Sequence, residues 1–139
     1  MRIDSTFPDF PGHVIIPDRF IWPQLLAFGK AVAANQTNVI TKPSISHLEI
    51  CENSITAVNM IVEWHIEGLP KKPTQADIFE DKDTIIASAF YMFVYKAVER
   101  AWRQEKQVPK ALSSEPTNTL PTRKQKTKTA AKNTPTQTN

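Results

Sequence analysis

Apolar residues recur with helical spacing along most of this chain, and the recurrence stops near Leu112. Leu25, Leu26, Phe28, Val32 and Ala33 follow Pro23 at such spacing. Proline suits a first helical turn, where its missing N–H has no partner to lose. The pattern predicts a first helix over about 23–35, ended by the polar run from Asn35 to Asn38. Gly29 inside it costs about 1 kcal/mol relative to alanine and is expected to mark a close helix contact.

The second helix has the clearest start. Ser46 is placed to cap it, Glu49 to reach back to the cap, and Ile45 and Ile50 to clasp the first turn. Cys51, Ile55, Val58, Val62 and Ile66 then form one apolar stripe, and Gly68 and Pro70 form a stop. One helix over about 46–67 is expected. The third helix is expected over 83–105, capped by Asp83. From Ile85 to Tyr95 it is apolar on nearly every face; beyond that it is amphipathic, with Glu99, Arg100 and Arg103 beside Ala97, Ala101 and Trp102. Two helices cannot cover a helix that is apolar all round. It is therefore expected either to sit at the centre of the domain or to be covered by a partner, a second copy included.

The remaining segments are short. His13 to Ile16 is a β-prone run ended by Pro17, enough for a minor strand or an extended arm. Residues 1–12 read as irregular, with Phe7 and Phe10 placed to pack onto the body. Residues 70–82 read as a connector with one turn starting at Thr74. The fold class expected is mainly α: a small three-helix body over 1–112 with a short N-terminal extended segment.

Charge separates this body from the rest of the chain. Residues 1–112 hold 12 Lys/Arg against 13 Asp/Glu, whereas 113–139 hold Arg123, Lys124, Lys126, Lys128 and Lys132 against Glu115 alone. The basic character of the chain thus belongs to its last segment. That segment is mostly Thr, Pro, Lys, Gln and Asn, a composition that cannot repay its ordering entropy, so 113–139 is expected to be a disordered tail. A body of about 110 residues buries roughly 60–70% of its unfolded surface without a staple. Cys51 is the single cysteine, which fits a reducing compartment. The first residues lack the apolar run of a secretory signal, and Ile85 to Tyr95 falls short of the ~18–20 residues that span a bilayer. A cytoplasmic protein without membrane contact is expected.

No enzymatic site emerges. The glycines are scattered and form no phosphate-binding loop, and there is neither a nucleophile elbow nor an HExxH helix. His47 and Cys51 share a helical face at i and i+4, but His65 lies further along and His13 in a distant segment, too few ligands for zinc. Glu63 and Glu67 flank Trp64 and His65 near a helix end and read as a solvated face. No catalytic residue, metal or cofactor is expected. The five tail cations either solubilise the body or contact phosphates non-specifically. In the second case the salt slope on duplex DNA is at most about −4 to −5, with no aromatic to stack on bases. Trp22, Trp64 and Trp102 lie near predicted helix ends, where tryptophan serves as a core corner or an interface anchor. With the surplus apolar area of the third helix, these positions give Trp64, Ile85, Phe90, Phe93 and Trp102 as candidate partner-binding residues.

Two segments resemble a known family. Gly12-His13-Val14-Ile15-Ile16-Pro17-Asp18, followed by Pro23-Gln24 and a helix, is similar to the opening of small tail assembly chaperones of long-tailed bacteriophages. Trp64-His65-Ile66-Glu67-Gly68-Leu69-Pro70, leading through a connector to a long last helix, resembles their second half. The resemblance covers about residues 10–110 and leaves the tail outside. It implies a non-enzymatic role in virion assembly: holding a long, aggregation-prone tape measure protein soluble in the host cytoplasm while tail tube protein polymerises around it, and leaving before the virion is finished. It also implies that a longer form can arise by ribosomal frameshifting, and it carries no catalytic residues. The alternatives are a nucleic-acid-binding accessory protein acting through its tail and a structural connector subunit of the virion.

Overall fold

The computed structural model describes residues 1–106. The tail, with the five cations from Arg123 to Lys132, lies outside the described residues. Among the described residues three strands and four helices occur in the order β1 (Arg2–Asp4), β2 (Gly12–Ile15), α1 (Trp22–Thr41), α2 (His47–Ile61), β3 (Glu63–Ile66), α3 (Gln75–Phe79) and α4 (Thr84–Lys106). The strands form one antiparallel sheet in the order β1-β2-β3, and the other four elements are helices.

The mainly helical class is as expected, and so are the strand at 12–15 and the last helix. The single turn at Thr74 is α3: the Thr74 hydroxyl accepts from the Asp77 N–H at 3.2 Å, and Asp77 accepts back from the Thr74 N–H at 2.8 Å. Ser46 caps α2 through the Glu49 N–H at 3.3 Å, a contact worth about 1 kcal/mol. In α1, the Gln24 side chain accepts from the Ile21 N–H at 3.1 Å, with Pro23 in the first turn.

Three expectations are corrected. The first helix runs on to Thr41 rather than ending at Asn35, because Asn35 is buried and bonded inside the fold. Its amide donates to the Tyr95 hydroxyl at 3.3 Å and its carbonyl accepts from Asn53 at 3.2 Å, so Asn35 is satisfied by other helices without the chain leaving α1. The second helix ends at Ile61, and the chain becomes strand β3 rather than continuing to 67. Val62, Trp64 and Ile66 are buried while Glu63 and His65 are exposed, a period of two. Gly68, at φ 88°, comes after this strand instead of closing a helix. Residues 2–4, read as irregular, form β1, in register with β2 as Arg2 opposite Ile15, Ile3 opposite Val14 and Asp4 opposite His13.

The core explains why α4 is apolar all round. Phe28 of α1 meets Trp102 edge-on at 5.7 Å. Ser54 of α2 shares a 2.7 Å hydrogen bond with the Tyr91 hydroxyl. Phe10, from the segment between β1 and β2, stacks on Phe90 at 4.1 Å, and Phe7 meets the same ring edge-on. The central position is thus the arrangement found. The N-terminal segment and the sheet supply cover that two helices alone could not.

Candidate partner-binding groove

The extension of α1 creates a surface feature that a shorter helix would lack. Val32, Gln36 and Val39 lie at i, i+4 and i+7 on α1, and Met92, Tyr95, Lys96 and Glu99 at i, i+3, i+4 and i+7 on α4. Each set forms one side of a helix. With Ile50 of α2 they line a groove of about 490 Å³. Val32, Asn35 and Tyr95 form its buried floor. Val39 at 48% exposure and Ile40 at 80% stand at its edge, on the final turns of α1.

The floor is polar only where polarity is satisfied. Asn53, Asn35 and Tyr95 form a chain of hydrogen bonds beneath the apolar lining. Burial pushes the Tyr95 hydroxyl above its ordinary range, opposed in part by the Asn35 hydrogen bond, so it is a neutral donor and acceptor near neutral pH. At the rim, Glu99 accepts from Arg103 at 2.7 Å and pairs with Lys96 at 3.8 Å, so two cations share one carboxylate. A surface of this kind can bury apolar side chains presented at helical spacing. It holds no nucleophile paired with a base.

The residues singled out by sequence are not brought together. Trp64, Phe90 and Trp102 are 4%, 0% and 6% exposed and form part of the core, so they are corrected from partner contacts to packing residues. The Trp64 indole donates to Asn59 at 2.8 Å and that of Trp102 to the Leu25 carbonyl at 3.1 Å, which completes their burial. Phe93 is half-buried against Phe7. Ile85 is 77% exposed, but it lies beside Ile45 and Leu48 in a separate depression of about 340 Å³. Trp22, not chosen as a contact, is 71% exposed beside exposed Ile21.

Cys51 is fully buried and His47 is exposed at the start of α2. His13 and His65, far apart in sequence, face each other across β2 and β3 with rings stacked at 4.8 Å. Glu63 approaches His65 at 3.4 Å on the same outer face. Among the described residues no three His, Cys, Asp or Glu side chains are grouped as metal ligands, and no helix is long and apolar enough to cross a membrane. Sequence reasoning missed the groove because its edge is made by the part of α1 read as a stop. The available signal was Val39-Ile40, an apolar pair one turn beyond Asn35. Comparisons with protein-family models, with curated proteins and with solved structures gave no match.

Proposed function

We propose that this protein is a non-enzymatic assembly chaperone that holds an apolar helical segment of a long client in the groove between α1, α2 and α4. The observation that carries the reading is the groove itself: apolar groups from three helices (Val32, Val39 and Ile40 of α1, Ile50 of α2, Met92 of α4), a satisfied polar floor, and Val39 and Ile40 left exposed at the edge. Helices that dock in such grooves anchor through residues at i, i+3, i+4 and i+7. The resemblance of Gly12–Asp18 and Trp64–Pro70 to phage tail assembly chaperones names the client as a tape measure protein. The same resemblance supports action in the host cytoplasm before the virion is complete, with tail tube protein as the next partner. The contact surface proposed differs from the one read off the sequence, since Phe90 and Trp102 are core and the exposed α1 end takes their place.

A tagged pull-down from cells producing the neighbouring genes, with nuclease and at moderate salt, tests the reading by mass spectrometry. Recovery of one long helix-rich protein, lost when Ile40 is replaced by aspartate, supports it. Recovery of that protein equally by both forms moves the contact elsewhere. Recovery of nucleic acid alone when nuclease is omitted, lost on removing residues 113–139, replaces the chaperone by an accessory protein acting through its tail.

A further inference from the structure

The free edge of β3 carries a second site, independent of the groove. The Ser5 N–H donates to the Gly12 carbonyl at 2.9 Å and the Ile16 N–H to the Met1 carbonyl at 2.8 Å, so the even-numbered residues around β2 bond toward β1. The Glu67 N–H donates to the Pro11 carbonyl at 2.8 Å, so the odd-numbered ones bond toward β3. In an antiparallel ladder this alternation turns the peptide groups of Glu63 and His65 toward β2 and those of Trp64 and Ile66 away from it. The Ile66 carbonyl accepts from the Leu69 N–H at 3.1 Å. The N–H and C=O of Trp64 and the N–H of Ile66 have no backbone partner among the described residues.

A cavity of about 360 Å³ adjoins these groups, lined by Val62, Glu63, Trp64, His65, Lys71 and Lys72. Successive side chains on a strand point to opposite faces. Four consecutive residues can therefore line one cavity only if it runs along the strand edge. Trp64, though only 4% exposed, is among the residues that line it. Peptide groups so placed are costly to leave without partners, and an added strand supplies a donor and an acceptor at matching spacing.

Charge selects the occupant. Lys71 and Lys72 are exposed on the cavity wall, and neither pairs with a carboxylate among the described residues; Lys72 reaches only the Asn59 carbonyl, at 3.3 Å. A second copy docking edge to edge would bring its own lysine pair to the same place, and the chain's own segment 113–139 is basic. We propose that the β3 edge binds an extended, acidic peptide segment of a partner as a fourth strand, held by the N–H and C=O of Trp64, the N–H of Ile66, and Lys71 and Lys72.

The probe is a blocked hexapeptide alternating valine and aspartate, with its valine–lysine counterpart as control. Binding is monitored by residue-resolved amide exchange of the full chain. In the free protein, the Trp64 and Ile66 amides are expected to exchange faster than those of Glu63 and His65, which are bonded to β2. The aspartate peptide should slow the first two by about tenfold or more at saturation. The Lys71→Glu/Lys72→Glu variant, changed only at exposed positions, should keep its circular dichroism and bind about tenfold more weakly. Three outcomes overturn the proposal: no slowing at these two amides, equal binding of the lysine peptide, or slowing that rises with protein concentration without peptide. The last would mean that a second copy fills the edge.

Discussion

Gly29 of α1 lies under the indole of Trp102: a Cβ placed on this glycine would sit 3.3 Å from Trp102 Cζ2. The same indole donates to the Leu25 carbonyl one turn earlier, so α4 is fastened to α1 by a ring resting where a side chain is missing. Gly29→Val should overfill this contact and destabilise the protein by about 1–3 kcal/mol in urea unfolding. The cost should shrink by about 1 kcal/mol when Trp102 is phenylalanine, because contacting residues couple. Equal costs in the two backgrounds would show that the contact does not set the α1–α4 distance.

Burial ties stability to alkaline pH. The Cys51 thiol is pushed from 9.0 up to about 12 by burial, with a smaller push from the Glu52 carboxylate. The Tyr91 hydroxyl is also raised, again by burial first, against a lowering by its Ser54 hydrogen bond. Both groups lose their proton more readily when unfolded. Their contribution is therefore complete below the unfolded value and is lost as pH rises toward the folded one. From pH 9 to 10 the wild type should lose about 1 kcal/mol through Cys51, and Tyr91 should steepen the fall above pH 10. Denaturant titrations across this range should show that Cys51→Ala is flat up to pH 10 and then falls. A wild type flat to pH 11 would exclude both contributions.

Two glycines at positive φ separate conformational from steric cost. Gly12 has φ 131°, and a Cβ there would lie 2.1 Å from the His65 carbonyl oxygen, inside the β2–β3 ladder. Gly68 has φ 88° and open space around it. Gly68→Ala should cost about 1–2 kcal/mol, the penalty of a left-handed conformation alone. Gly12→Ala should cost about 2–4 kcal/mol, since the sheet must part to admit the methyl group. Equal thermal shifts for the two variants would contradict the close approach.

How far the fold could be read depended on whether a residue's partners were near in sequence. The caps at Ser46 and Thr74 are contacts between neighbours, and both were legible. The end of α1 was not: Asn35 is polar by type, yet its partners Tyr95 and Asn53 lie in other helices and make it a core residue. The end of α2 was hidden by a coincidence of periods. Val58, Val62 and Ile66 fit a helical stripe at steps of four and equally a strand face at steps of two. Trp64 breaks the tie, since on the helical reading it leaves the stripe, while on the strand reading it completes Val62-Trp64-Ile66. The groove inherits the first of these failures, because its edge is built from the turns of α1 beyond Asn35.

The groove is most directly probed at Ile40. At 80% exposure this side chain has little native packing to lose, so Ile40→Asp should change stability by no more than about 0.5 kcal/mol. On the proposed reading, a carboxylate there would have to be desolvated against an apolar client helix, and binding of an amphipathic peptide from the proposed tape measure client should weaken about tenfold or more. Ile85→Asp is the matched control. It is 77% exposed in the separate depression near Leu48, and it should leave the affinity unchanged if the groove is the client site. Calorimetric titration of the two variants against the wild type decides between the surfaces. Loss at Ile85 with retention at Ile40 would move the client to the first turn of α4, at one of the five contacts the chain's sequence had suggested.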